Sequence, residues 1–61
     1  RTKTEFKRFL SIARGSCFEC IPLIEISYKQ KLITLKEKEN WYNQVLVLAK
    51  MLSKLRTSVS K

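Results

Sequence analysis

The chain has 61 residues with 13 Lys and Arg against 5 Glu, so its formal net charge is +8, and 44% of its residues are hydrophobic. One glycine, one proline and no histidine exclude a many-stranded sandwich or barrel, every Ser-His or Cys-His catalytic pair and the usual zinc-hydrolase ligand sets. A chain this short is one small domain at most, or part of one.

Thr2-Lys3-Thr4-Glu5 fits a capping box that opens a helix. From there Phe6, Leu10, Ala13, Cys17, Cys20 and Ile24 alternate at steps of four and three, which is an a/d packing seam. Phe9, Ile12, Leu23 and Ile26 run beside it, with Ser16 and Glu19 between, so the apolar face is wider than one partner helix needs. Gly15 and Pro22 fall inside this helix. The glycine costs about 1 kcal/mol against alanine and suits close approach by another helix. The proline deletes the hydrogen bond to the Phe18 carbonyl and should kink the helix. A break at Cys20–Ile21 is the alternative.

Tyr28 to Ile33 is the connection. It has no glycine, so Gln30 or Lys31 is expected to take the left-handed conformation. Thr34-Leu35-Lys36-Glu37 is a second capping box. Trp41, Val45, Leu48, Leu52, Leu55 and Val59 then form the second seam, widened by Leu46, Val47, Ala49 and Met51. Thr57 to Lys61 is expected to fray. The expected fold is all-α: an antiparallel hairpin with helix one over about 3–28 and helix two over about 35–57. Both faces are too wide for a hairpin alone. It is therefore half of an up-down four-helix bundle, completed by missing upstream helices or by a second copy. Chains of this size rarely fold on one core without disulfides, metal or partners, and two cysteines are no disulfide framework. A homo-oligomer is expected.

The first residue, Arg1, marks a processed product or a piece of something longer. No signal peptide is recognisable, and no stretch approaches the roughly 18 apolar residues that span a bilayer. The expected location is the cytoplasm. Binding to a membrane surface by a basic amphipathic helix is disfavoured, because the seams are long, regular and paired.

Cys17-Phe18-Glu19-Cys20 has redox-motif spacing, but it sits mid-helix on the seam, where cysteines pack as small hydrophobes. A zinc site needs four ligands, which only two copies together would supply. Glu5 and Glu37 serve as caps, Glu25 is spaced to pair with Lys29, and Glu19 is placed to face Arg14 or Arg8 of a neighbour. None has a second catalytic group in reach, so no catalysis, metal or cofactor is expected. Lys3, Lys7, Arg8 and Arg14 decorate the first half of helix one; Lys50, Lys54, Arg56 and Lys61 decorate the end of helix two. An antiparallel hairpin brings the two sets to one end. A concentrated positive end attracts phosphate polymers by counterion release. Lys3, Lys7, Arg8, Arg14, Lys50, Lys54 and Arg56 are therefore the expected contacts to RNA or DNA, touching phosphates rather than bases. The competing expectation is an adaptor whose apolar faces are its function and whose charge serves solubility.

The run from Arg1 to Leu10, the segment Ile12-Ala13-Arg14-Gly15-Ser16 with Phe18-Glu19-Cys20, and the connection ending Leu32-Ile33-Thr34 resemble a known family. These are the small bacterial four-helix bundle proteins encoded in 23S rRNA intervening sequences. The resemblance covers nearly the whole chain and corresponds to the second half of a family member. It implies a bundle of four antiparallel helices, often assembled as a homopentamer. It also implies kinship with the accessory variability determinant of diversity-generating retroelements, a basic nucleic-acid-binding protein that partners a reverse transcriptase. The family has no catalytic residues to transfer. Arg14, Gly15 and Glu19 are the matching positions of interest, with Arg14 and Glu19 a candidate contact. The sequence departs at Lys31, where the family commonly has glycine.

Overall fold

The structure, a computed structural model, describes residues 2–60. Two α-helices, α1 (Lys3–Lys29) and α2 (Leu35–Ser60), pack against each other as an antiparallel hairpin of 44 × 14 × 12 Å. Both capping boxes close. Thr2 Oγ1 accepts from the Glu5 N–H at 3.1 Å while the Glu5 carboxylate accepts from the Thr2 N–H at 3.0 Å. Thr34 and Glu37 repeat the exchange at 3.1 and 2.8 Å. Each box satisfies two of the donors a helix start leaves free.

α1 runs through Pro22 without a break at Cys20–Ile21. The proline and Phe18 both lie on the exposed side, where water can take the carbonyl that the ring deprives of its partner. At the C-terminus Lys31 adopts φ 62°. Its N–H donates to the Tyr28 carbonyl, and the Leu32 N–H donates to the Ser27 carbonyl, both at 2.9 Å. That pair of bonds is a Schellman motif with lysine in the glycine position. α2 continues to Ser60, past the fraying expected from Thr57; Lys61 lies outside the described residues.

The contact between the helices is narrower than the seams. Leu10 (3% exposed), Ile24 (8%) and Ala49 (4%) are buried. Ala13, Cys17, Ile21, Val45, Leu46, Leu52 and Ser53 are half-buried around them. The expected packing residues Phe6, Cys20, Trp41, Leu48 and Leu55 are exposed in the hairpin. On α2 the contact line is rotated by nearly one residue step, from Leu48 to Ala49. The inner line includes small side chains on both helices, Ala13 and Cys17 on α1 and Ala49 and Ser53 on α2, which suit a close approach of the axes, with Leu10 and Ile24 as its bulky buried members. Gly15, expected to sit at a close approach, has nothing within 4 Å of where a Cβ would be.

Candidate nucleic-acid interface

Register decides which basic residues meet. Arg56 Nε donates to Ser11 Oγ at 2.8 Å, tying positions 45 apart in sequence. Ser11, Arg14, Ser53, Arg56 and Thr57 line one shallow cleft of about 240 Å³ between the helices. Lys54 borders the adjoining hollow with Ser53, Thr57 and Ser58. The cleft shows that the sides of α1 and α2 bearing Arg14 and Thr57 are one side of the hairpin.

At about 100° per residue, Lys7 and Arg14 fall on that side of α1, and Lys50 and Lys54 fall on the same side of α2. Lys3 sits at the start of α1, one turn before Lys7. Lys7 is half-buried; Lys3, Arg8, Arg14, Lys50, Lys54 and Arg56 are exposed. Arg8 is the residue this side does not gather: it lies about 100° further round α1 than Lys7, toward Ile12. Carboxylates stay away from the patch. Glu5 projects about 160° from Lys7 and Glu19 about 140° from Arg14 around the helix. Like charges close together in the hairpin, with no acid between them, make a focused positive field.

Two basic side chains have aromatic company. The Arg14 guanidinium lies 5.1 Å from the centre of the Phe18 ring, not against Glu19. This contact keeps Arg14 extended along α1 beside the cleft. Near the connection Lys38 Nζ lies 2.8 Å from Glu25 Oε1 and 4.7 Å from the Tyr28 ring. Glu25 therefore pairs across the helices rather than with Lys29 one turn on. The hydrogen bond from Lys38 holds the Glu25 carboxyl below its ordinary pKa, and the same bond raises that of Lys38. Sequence reasoning missed both cross-helix contacts, because i, i+4 spacing is visible in a sequence and register is not.

The remaining chemistry is sparse. Cys17 and Cys20 are free thiols, the first half-buried at the seam and the second exposed. Among the described residues no three His, Cys, Asp or Glu side chains come together. No described helix is long and apolar enough to cross a membrane.

No curated protein and no solved structure is significantly similar to the chain. A family model does match it, that of the 23S rRNA-intervening sequence protein, over residues 1–54. That span takes in α1, the connection and most of α2, so the chain belongs to the 23S rRNA-intervening sequence protein family.

Proposed function

We infer that this protein is a non-enzymatic, nucleic-acid-binding member of its family, and that its basic side binds RNA or DNA through phosphates. The observation that carries the reading is the convergence of Lys7, Arg14, Lys50, Lys54 and Arg56 on one side of the hairpin, with Glu5 and Glu19 turned away. Arg14 and Arg56, placed along a cleft with Ser11, Ser53 and Thr57 hydroxyls, offer the mixture of forked charge and neutral donors that phosphate oxygens accept. No aromatic stacks on that side beyond Phe18, which Arg14 already covers, so bases are not read there. The family's association with ribosomal RNA intervening sequences makes RNA the first substrate to try. In this reading the hairpin corresponds to the last two helices of a family four-helix domain, and the kinship extends to the accessory variability determinant.

The test is a salt titration of binding to two unrelated RNAs and to duplex DNA. Affinity should fall steeply with salt, by a slope near −0.9 per phosphate neutralised on duplex DNA and about −0.7 on single strands. Lys7→Glu and Lys54→Glu should weaken all ligands alike and flatten that slope. Binding indifferent to salt would sink the reading. No binding at physiological salt would favour an adaptor, the role to which the wide exposed apolar side points.

A further inference from the structure

We propose that the cleft at Ser11, Arg14, Ser53 and Arg56 is a site for one phosphate monoester, the phosphorylated end of a nucleic-acid strand, rather than for phosphates within a strand. The assignment deepens the phosphate-binding reading above and rests on it. It starts from a spacing that both helices share. α1 carries Ser11-Ile12-Ala13-Arg14 and α2 carries Ser53-Lys54-Leu55-Arg56, a serine three residues before an arginine in each. Residues three apart are neighbours on one helix face. The helices are antiparallel and Arg56 reaches Ser11 at 2.8 Å, so three residues onward along α1 is level with three residues back along α2. Arg14 is therefore level with Ser53, and all four residues line the same cleft. The two arginines rise from opposite walls, about 4.5 Å apart along the axis.

The two Ser–Arg pairs are used differently. Arg56 Nε donates to Ser11 Oγ, which holds that guanidinium in place and leaves its outer N–H groups, with the Ser11 hydroxyl proton, to donate elsewhere. Arg14 is held instead by the Phe18 ring, 5.1 Å away, a contact that leaves its N–H fork for an acceptor. Among the described residues no carboxylate pairs with either arginine. Two like charges thus border one cleft without a counterion, and a bound anion relieves their repulsion.

Charge, size and shape select the end of a strand. A phosphate monoester carries about −1.5 to −2 charge at neutral pH and presents three terminal oxygens, whereas a phosphate inside a strand carries a single charge and presents two. Two guanidiniums with the hydroxyls of Ser11, Ser53 and Thr57 match the monoester. The cleft, about 240 Å³, is smaller than the roughly 300–1,000 Å³ that encloses a whole small molecule. It takes a phosphate group and leaves the nucleoside outside. The Arg56–Ser11 bond crosses the groove between the helices, so a strand running along the groove meets a bar, while an end enters and stops. The rest of the strand leaves over the adjoining hollow, where Lys54 and Ser58 offer contacts to the next phosphate.

The test is a binding titration of the whole chain with one single-stranded RNA of about 12 nucleotides, carrying a 5′-phosphate, a 3′-phosphate, or hydroxyls at both ends. A phosphorylated end should bind about tenfold tighter than hydroxyl ends. The gain should shrink between about pH 7.5 and about pH 5, as the monoester loses its second charge near pH 6. The charged groups bordering the cleft are Arg14 from α1 and Lys54 and Arg56 from α2; arginine and lysine do not titrate in that range, and the chain has no histidine. Arg14→Lys keeps the charge and loses the fork, so it should cost the phosphorylated RNA far more than the hydroxyl-ended one. Lys50→Gln, outside the cleft, should weaken all three RNAs alike and keep their ratio. Equal affinity for the three RNAs, or a gain that survives both Arg14→Lys and Arg56→Gln, would overturn the proposal. So would inorganic phosphate that binds as tightly as the RNA end, since the cleft would then be a site for the free ion. Salt-dependent binding without an end preference would defeat this proposal and leave the phosphate-contact reading standing, whereas no binding to any RNA at low salt would end both.

Discussion

Lys38 Nζ reaches Glu25 at 2.8 Å while standing 4.7 Å over the Tyr28 ring, so one lysine on α2 ties down the last turns of α1. The contact fixes the register of the hairpin next to its connection. Its stabilisation depends on both charges. The Glu25 pKa is depressed below 4.5 by the hydrogen bond from Lys38, so its contribution is present above that value and is lost as pH falls through the folded pKa. The Lys38 pKa is raised above 10.5 by the same bond, so its contribution is lost as pH rises through that higher value. A thermal double-mutant cycle with Glu25→Gln and Lys38→Gln should show favourable coupling at neutral pH, less at high salt, and none in strong acid. Coupling that persists at pH 2 would show that packing against Tyr28, not charge, is the link.

Lys31 holds the left-handed position that closes the Schellman motif, with φ 62°. A β-carbon is disfavoured there, by roughly 1 kcal/mol relative to glycine. Lys31→Gly should therefore stabilise the hairpin by about that amount. Chemical denaturation measures it, and a loss of stability would mean that the connection gains more from the lysine than its backbone strain costs.

Gly15 is helical and open, with nothing within 4 Å of the β-carbon an alanine would add. Gly15→Ala should raise stability by about 1 kcal/mol. Denaturation measures it, and a loss of stability would reveal a neighbour packed on Gly15, as the close approach expected from the sequence requires.

Both capping boxes were legible because each is a local exchange between residues three apart, and the unglycined turn pointed to Gln30 or Lys31 for the same reason. Heptad spacing exposed the apolar width of each helix. It did not reveal which line through that width becomes the contact, because Leu48 and Ala49 are adjacent and both apolar. Ala49, the smaller of the two, is the one buried between the helices. The basic end was legible from antiparallel order alone. The details that organise it, Arg56 on Ser11 and Arg14 along Phe18, depend on register and rotamer, which no periodicity encodes. Arg8 illustrates the limit: sequence proximity to Lys7 put it in the set, and one residue step of helix rotation takes it out.

The choice of Ala49 over Leu48 makes a prediction that separates the hairpin's own core from its outer surface. Ala49 is 4% exposed between the helices, whereas Leu48 is 47% exposed beside it. Ala49→Leu inserts bulk where the axes approach and should cost about 1–3 kcal/mol. Leu48→Ala removes a side chain that the single hairpin leaves half in water, so hairpin stability should fall by well under the ~2–5 kcal/mol of a core leucine. Denaturation at low protein concentration, where association is weakest, is the appropriate measurement. If Leu48→Ala proves the costlier change there, the helices are rotated as the heptad spacing alone suggests, with Leu48 in the contact and Ala49 beside it. If Leu48→Ala is mild at low concentration and severe at high concentration, Leu48 stabilises the contact between copies rather than the fold of one.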